Sequence, residues 1–270
     1  MSTPEPTPAK KKRRVILCGV LCALGAYVLY TSARTTVLLG NAKELIADAE
    51  KFPREYSLGA PGERELIYVV MGDSTAVGVG AARVEASCAF QIATAAAAQG
   101  RRVRVINIAA SGARLGAILK NQLPKIAELK PHLISLSIGA NDATHFSSPA
   151  QYQKQMGILV SQLSRQTAVV LLAGTPDMVQ APALPLPLAL AVNRRAIRQN
   201  KILQSALDNS KLHNSKLRYV DLFYRGKLIY AQNPDLYAAD FFHPSADGYA
   251  IWADLFEQAM TGASSLKSMP

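Results

Sequence analysis

The sequence predicts an α/β domain on a mainly parallel sheet covered on both faces, preceded by one N-terminal transmembrane helix. Three observations carry this prediction. Short apolar, β-branched runs alternate with longer helical patterns from residue 66 onward. Glycine and small polar residues cut in at the end of each of the first three runs. Residues 15–33 hold no charge at all.

Composition bounds the function class. The chain has 270 residues, 49% hydrophobic and 18% charged, enough to bury the core of one ordinary domain and too apolar for a disordered chain. Its 17 glycines and 15 prolines exclude a collagen-like or low-complexity protein, and no repeat suggests a solenoid. The net charge of +11 is uneven. Lys10, Lys11, Lys12, Arg13 and Arg14 form one run, and the charge beyond it is scattered. A nucleic-acid partner is not expected, because no basic–aromatic interleaving follows.

The N-terminal order reads directly. Residues 1–14 make a basic cytoplasmic tail, and residues 15–33 (VILCGVLCALGAYVLYTSA) make a transmembrane anchor or signal segment. As helix that stretch is about 28 Å long, near the hydrocarbon thickness of a bilayer. The preceding cations predict a cytoplasmic N-terminus with the remainder on the outer or periplasmic side. Tyr27 and Tyr30 suit the far interface. A cleaved signal would give a secreted domain, since Thr31-Ser32-Ala33 resembles a small-residue cleavage site. The apolar stretch exceeds a usual signal core, which favours the anchor. Residues 34–64 read as a linker, with a short amphipathic helix over 40–52 and a turn-rich entry through Pro61-Gly62. The catalytic-type domain is expected over 65–262, with a tail at 263–270.

Within the domain, 66–71 (LIYVVM) reads as a strand buried on both faces and ends in Gly72-Asp73-Ser74. An Ala-rich helix over 86–99 is closed by Gly100, and a strand follows over 103–108. Residues 115–129 read as helix interrupted by Pro124, then 133–138 as a strand ending in Gly139-Ala140-Asn141-Asp142. A helix over 150–165, a strand over 168–173, a long helix over 188–210, a short strand over 217–222 and a helix over 245–260 complete the chain. In such sheets ligands sit beyond the carboxyl ends of the strands, and the polar punctuation falls there.

A serine hydroxyl needs an oriented base before it is a useful nucleophile. Ser74 stands just past a buried strand, in a turn that Gly72 permits. The candidate base is His243 in Asp240-Phe241-Phe242-His243-Pro244. An Asp three residues before a His can share one turn with it, accept the imidazole N–H and stabilise the cation that forms. The developing oxyanion needs donors, and Gly112, Asn141 and the Ser74 N–H are the candidates.

These blocks resemble the SGNH (GDSL) hydrolase family: Gly72-Asp73-Ser74, Gly112 within Ala110-Ser111-Gly112, Gly139-Ala140-Asn141-Asp142 and Asp240 to His243, in that order. The first block reads GDSTA rather than GDSL. The resemblance implies a three-layer α/β/α sandwich and hydrolysis of acyl esters without metal or cofactor. It implies Ser74 as nucleophile, His243 as base and then acid, Asp240 as its orienting partner, and Ser74, Gly112 and Asn141 as the oxyanion hole. The expected protein is a membrane-anchored serine hydrolase acting on a lipid, thioester or acylated glycan. The alternatives are an acyltransferase with the same residues and a non-catalytic anchored module that binds glycan or lipid.

The remaining features read as structural. Asp73 and Asp142 should bond local backbone, and His132 and His145 stand aside, with His145 near enough to touch substrate. Ser111 is a candidate pocket residue. Gly78-Val79-Gly80-Ala81-Ala82-Arg83 half-resembles a dinucleotide fingerprint, but Arg83 replaces its third glycine. Cys18 and Cys22 lie in the apolar stretch and Cys88 alone in the domain, so no intradomain disulfide and no zinc-ligand spacing arise. The proline-rich segment 175–187 is expected to line an acyl pocket, with a loop packed passively on the domain, or a contact with the membrane or another chain, as equal alternatives.

Overall fold

The computed structural model describes residues 8–61, 64–211, 216–231 and 233–261. The start of the basic tail, residues 62–63 of the expected linker and the expected tail at 263–270 lie outside the described residues.

The chain opens with one continuous helix, α1 (Pro8–Ala49), not a span followed by a linker and a separate short helix. Nothing between residues 33 and 49 stops it: the stretch lacks proline, and Gly40 costs only about 1 kcal/mol inside a helix. Its last turns dock on the domain. Leu38, Asn41, Ala42, Leu45 and Ile46 are half-buried and Ala49 is fully buried, a helical spacing that faces one side inward. Residues Ile16–Ala49 are long and apolar enough to cross a membrane, a pattern that a signal sequence shares.

The expected linker also contributes a strand. β1 (Glu55–Leu58) pairs antiparallel with β3 (Arg102–Asn107), placing Glu55 opposite Ile106 at the sheet edge. β2 (Glu65–Gly72) leads through Asp73 into the short α2 (Ser74–Val77), then come α3 (Cys88–Ala97) and β3 (Arg102–Asn107). The Pro124 break is real. α4 (Leu115–Asn121) and α5 (Ile126–Leu129) are separated by a tighter 3-10 turn at Leu123–Lys125. β4 (Leu133–Ser137), α6 (Ala140–Thr144), α7 (Pro149–Leu163) and β5 (Val169–Ala173) follow. The chain continues through α8 (Leu186–Lys211), β6 (Leu217–Val220), α9 (Tyr224–Ala231) and α10 (Ala246–Thr261). α6 and α9 are too short to show a clear period in the sequence.

Among the described residues the sheet is six-stranded, in the order β1-β3-β2-β4-β5-β6, and every pair except β1–β3 is parallel. Alternation along β2 divides the core. Tyr68 and Val70 pack into one cluster with α3 and α10, whereas Val69 and Met71 pack into the other with α4, α7 and α8. Helices on both faces make this a three-layer α/β/α sandwich. The register aligns the strand ends: Gly72 lies opposite Ser137, and Ser137 opposite Ala173. The loops that leave these residues therefore start at one level, and the polar residues gather there.

Candidate active site

Gly72 ends β2 with φ +137°, and a Cβ there would stand 2.4 Å from the Ser137 carbonyl. Only glycine fits this turn without moving backbone. The buried Gln122 side chain clamps the same residue, accepting from the Gly72 N–H and donating to its C=O, each at 2.8 Å. Asp73 then caps α2, accepting from the Thr75 N–H at 3.0 Å and the Thr75 hydroxyl at 2.8 Å. Ser74 thus begins a short helix from a turn held on both sides. No local pattern points to Gln122, which stands 50 residues away at the end of another helix.

The Asp240–His243 turn arrives from the other end of the chain. It is closed by bonds from the Phe241 N–H to the Ala238 carbonyl and from the Ala238 N–H to the His243 carbonyl, both 2.8 Å. Phe241 takes φ +55° within it. One Asp240 oxygen accepts the N–H groups of Phe242 and His243 at 3.0 Å each, and the other meets His243 Nδ1 at 2.5 Å. His243 Nε2 lies 2.8 Å from Ser74 Oγ.

All three side chains are buried: Asp240 is 1% exposed, His243 6% and Ser74 7%. Burial alone would push the Asp240 carboxyl up. The hydrogen bond and charge of His243 and the two backbone N–H groups together hold it below the usual aspartate value. With Nδ1–H given to Asp240, Nε2 is left as the acceptor for the serine proton. The arrangement can withdraw that proton and hold the resulting imidazolium against a fixed carboxylate.

The other expected residues are placed as follows. Asn141 is the second residue of α6, just after β4, its amide nitrogen 3.4 Å from Asp73 Oδ2 and 3.3 Å from the Ala113 carbonyl. Gly112, at φ +76°, lies in the loop after β3. Ala110 of that loop donates to the Gly72 carbonyl at 3.2 Å, so the loop runs between the Ser74 turn and Asn141. Ser111 is not among the residues that line the cleft beside the Ser74–His243 pair. Its hydroxyl donates to Glu50 at 3.1 Å, just beyond α1. Asp142 accepts from the Leu115 N–H and the Ser147 hydroxyl, tying the two loops together. Burial raises the Asp73 and Asp142 carboxyls against these bonds. His132 accepts from the Ile67 N–H at the opposite end of the sheet, and His145 is an exposed neighbour of the Asn141 carbonyl.

Gly78 and Gly80 serve geometry. Gly78, at φ +101°, ends α2, and a Cβ on Gly80 would stand 2.3 Å from the Pro244 carbonyl, next to His243.

Beside the Ser74–His243 pair lies a narrow cleft of about 50 Å³, partly open to solvent and lined by neighbours of the pair rather than by Ser74 or His243. Asp73, Thr75, Phe242 and Pro244, the neighbours of the pair, form one wall. Met178, Ala181, Leu222, Tyr237 and Trp252 make the rest of the lining largely apolar. Segment 175–187 contributes to it, as its position after β5 suggests. Asp177 is buried at the rim with one oxygen 3.5 Å from the half-exposed Lys227 ammonium.

Known proteins resemble this arrangement. The model of the GDSL-like lipase/acylhydrolase family matches residues 70–251. A GDSL-like esterase of Mycobacterium tuberculosis is 29% identical over 205 residues, covering 72% of this chain. The chain spans only 62% of that relative's length. Among solved structures, TesA superposes with a TM-score of 0.59 at 21% identity, covering 73% of this chain and 98% of that one. A lipase/acylhydrolase from Enterococcus faecalis gives 0.57 at 22% identity, covering 76% and 100%. A catalytic mutant of an acetylxylan esterase from Geobacillus stearothermophilus gives 0.56 at 18%, covering 75% and 95%. At these identities the structures show a shared fold.

Proposed function

The chain belongs to the GDSL-like lipase/acylhydrolase family, and from that premise we propose that it is a membrane-anchored serine hydrolase of carboxylic acyl esters. The 2.8 Å contact between Ser74 Oγ and His243 Nε2 is the observation that carries this reading. His243 takes the serine proton as Ser74 attacks the acyl carbon. The carbonyl oxygen becomes an oxyanion, met by the Ser74 and Gly112 N–H groups and the Asn141 amide. His243 then protonates the leaving alcohol or thiol, which leaves an acyl-Ser74 ester. Water, deprotonated by His243, attacks that ester and releases the acid and the free serine. Asp240 fixes the imidazole tautomer throughout and stabilises its charged form.

The apolar cleft is read as the acyl subsite, with Phe242 packed edge-on to the His243 ring at 5.3 Å as its inner wall. The apolar part of α1 serves as the anchor, and the cations at 10–14 keep the N-terminus cytoplasmic. The esterase name of the Mycobacterium tuberculosis relative supports the reaction class.

The test uses full-length protein and its Ser74→Ala variant on nitrophenyl acetate, butyrate and a long-chain ester. Turnover that vanishes in the variant supports the proposal, and the chain-length ranking sizes the acyl subsite. Equal activity of the two proteins, or an inactive folded wild type, rejects it.

A further inference from the structure

Helix α1 reaches the domain beside the cleft, and it does so without a flexible joint. The docked face begins at Leu38, four residues after Arg34, where the uncharged stretch ends. Arg34 donates to the Pro182 carbonyl in the proline-rich segment at 2.6 Å. Seven residues on, Asn41 donates to the Ala239 carbonyl, next to Asp240, at 2.8 Å. Seven helical residues rise about 10 Å. The Asp240 turn therefore stands about 10 Å along the helix axis from the point where the apolar stretch ends.

The surface at that level is apolar. The Ala183 N–H bonds the Phe241 carbonyl at 3.0 Å, which joins the proline-rich segment to the Asp240 turn. Phe241 is 40% exposed, and Leu186 at the end of the segment and Leu190, four residues on along α8, are 63% and 48% exposed. Large side chains exposed together beside a cleft mark an interaction surface.

We propose that this collar rests on the bilayer that α1 crosses, so that the cleft opens at headgroup level and takes its acyl ester from that leaflet. The inference rests on the anchored-hydrolase reading and adds to it an orientation and a substrate class, an amphiphile held in the membrane. The helix itself selects the occupant. A bilayer around residues 15–33 has its interface at Arg34, the residue bonded to Pro182. Arg34 is exposed there, where its guanidinium can meet lipid phosphate while its stem lies along the apolar boundary. Residence at the interface raises the effective concentration of a membrane-borne ester over that of a soluble one.

The experiment places full-length Leu186→Trp and Glu128→Trp proteins in phosphatidylcholine vesicles carrying acyl-brominated lipid, with wild type correcting for Trp252. Glu128 is exposed on α5, before the amino end of β4 and so at the end of the sheet opposite the Ser74 turn. The added emission should be quenched by more than half at 186 and hardly at 128. Equal, weak quenching overturns the proposal. So does a response at 186 that follows protein rather than lipid concentration, which assigns the collar to a second copy. A ten-residue Gly-Ser insertion between Thr36 and Val37 frees the domain from the span. It should lower hydrolysis of a vesicle-borne long-chain ester severalfold while leaving nitrophenyl acetate hydrolysis unchanged; an unchanged ratio also overturns the proposal. Flotation with vesicles checks the anchor and Ser74→Ala checks the hydrolase, so failure of either reading is seen apart from failure of the orientation.

Discussion

Ser74 and His243 are separated by 169 residues in sequence and by 2.8 Å in the fold. The contact depends on two tight turns, each set by bonds outside the pair. Asp240 governs the second of them, because its two oxygens hold both the turn and the imidazole. Asp240→Asn offers an amide to Nδ1 and disfavours the tautomer that accepts the serine proton. We expect kcat on nitrophenyl acetate to fall on the order of 10³–10⁴-fold with KM little changed, by analogy with loss of the orienting carboxylate elsewhere. Steady-state kinetics on the folded variant decides this.

The same carboxyl makes a pH prediction. Its folded pKa is held below the unfolded value, which is about 3.9 for aspartate. The stabilisation is therefore complete above about pH 4 and is lost as pH falls through the folded value. Asp73 and Asp142, raised by burial, act with the opposite sign and lose stability as they ionise on rising pH. Urea unfolding of wild type and Asp240→Asn should show a stability gap that is widest near neutrality and narrows below about pH 4. A gap independent of pH contradicts the assignment.

Asn141→Ala removes one of the proposed oxyanion donors without touching Ser74. A loss of about 2.7–4 kcal/mol of barrier stabilisation is expected, on the order of 10²–10³ in kcat. The change should appear in kcat and in kcat/KM alike, since the oxyanion exists only after attack. A change confined to KM would move Asn141 from the oxyanion to the substrate-binding surface.

Gly80→Ala tests a close approach. Its φ of +99° and the 2.3 Å gap to the Pro244 carbonyl leave no room for a methyl group. The backbone conformation alone costs on the order of 1–3 kcal/mol for a non-glycine residue. We expect lower unfolding stability together with a fall in kcat, because relief of the clash displaces the His243 turn.

Gly226→Leu tests the cleft. Gly226 is buried in α9 and lines the cleft, and a Cβ there meets nothing within 4 Å. The leucine side chain should fill that space. Stability should hold or rise, by up to about 1 kcal/mol from helix propensity. Activity should fall on the long-chain ester relative to acetate. An unchanged chain-length ranking would place the acyl group elsewhere.

The sequence by itself determined the parts whose signal is local. Apolar β-branched runs ending in glycine and small polar residues located β2, β3 and β4 and put Ser74 and Asn141 beyond their carboxyl ends, because strand burial shows in a few consecutive residues. The three-residue spacing of Asp240 and His243 likewise foretold a shared turn. Tertiary structure alone decided the rest. Gln122 holds Gly72 from a different helix, Ser111 bonds Glu50 just beyond α1, and β1 joins the sheet edge from a stretch that reads as linker. Residues 34–49 continue α1, their inward face defined only by the domain it touches. A side chain's direction in a loop, or the state of a stretch with weak propensity, follows from partners distant in sequence, and those partners exist only once the sheet has assembled.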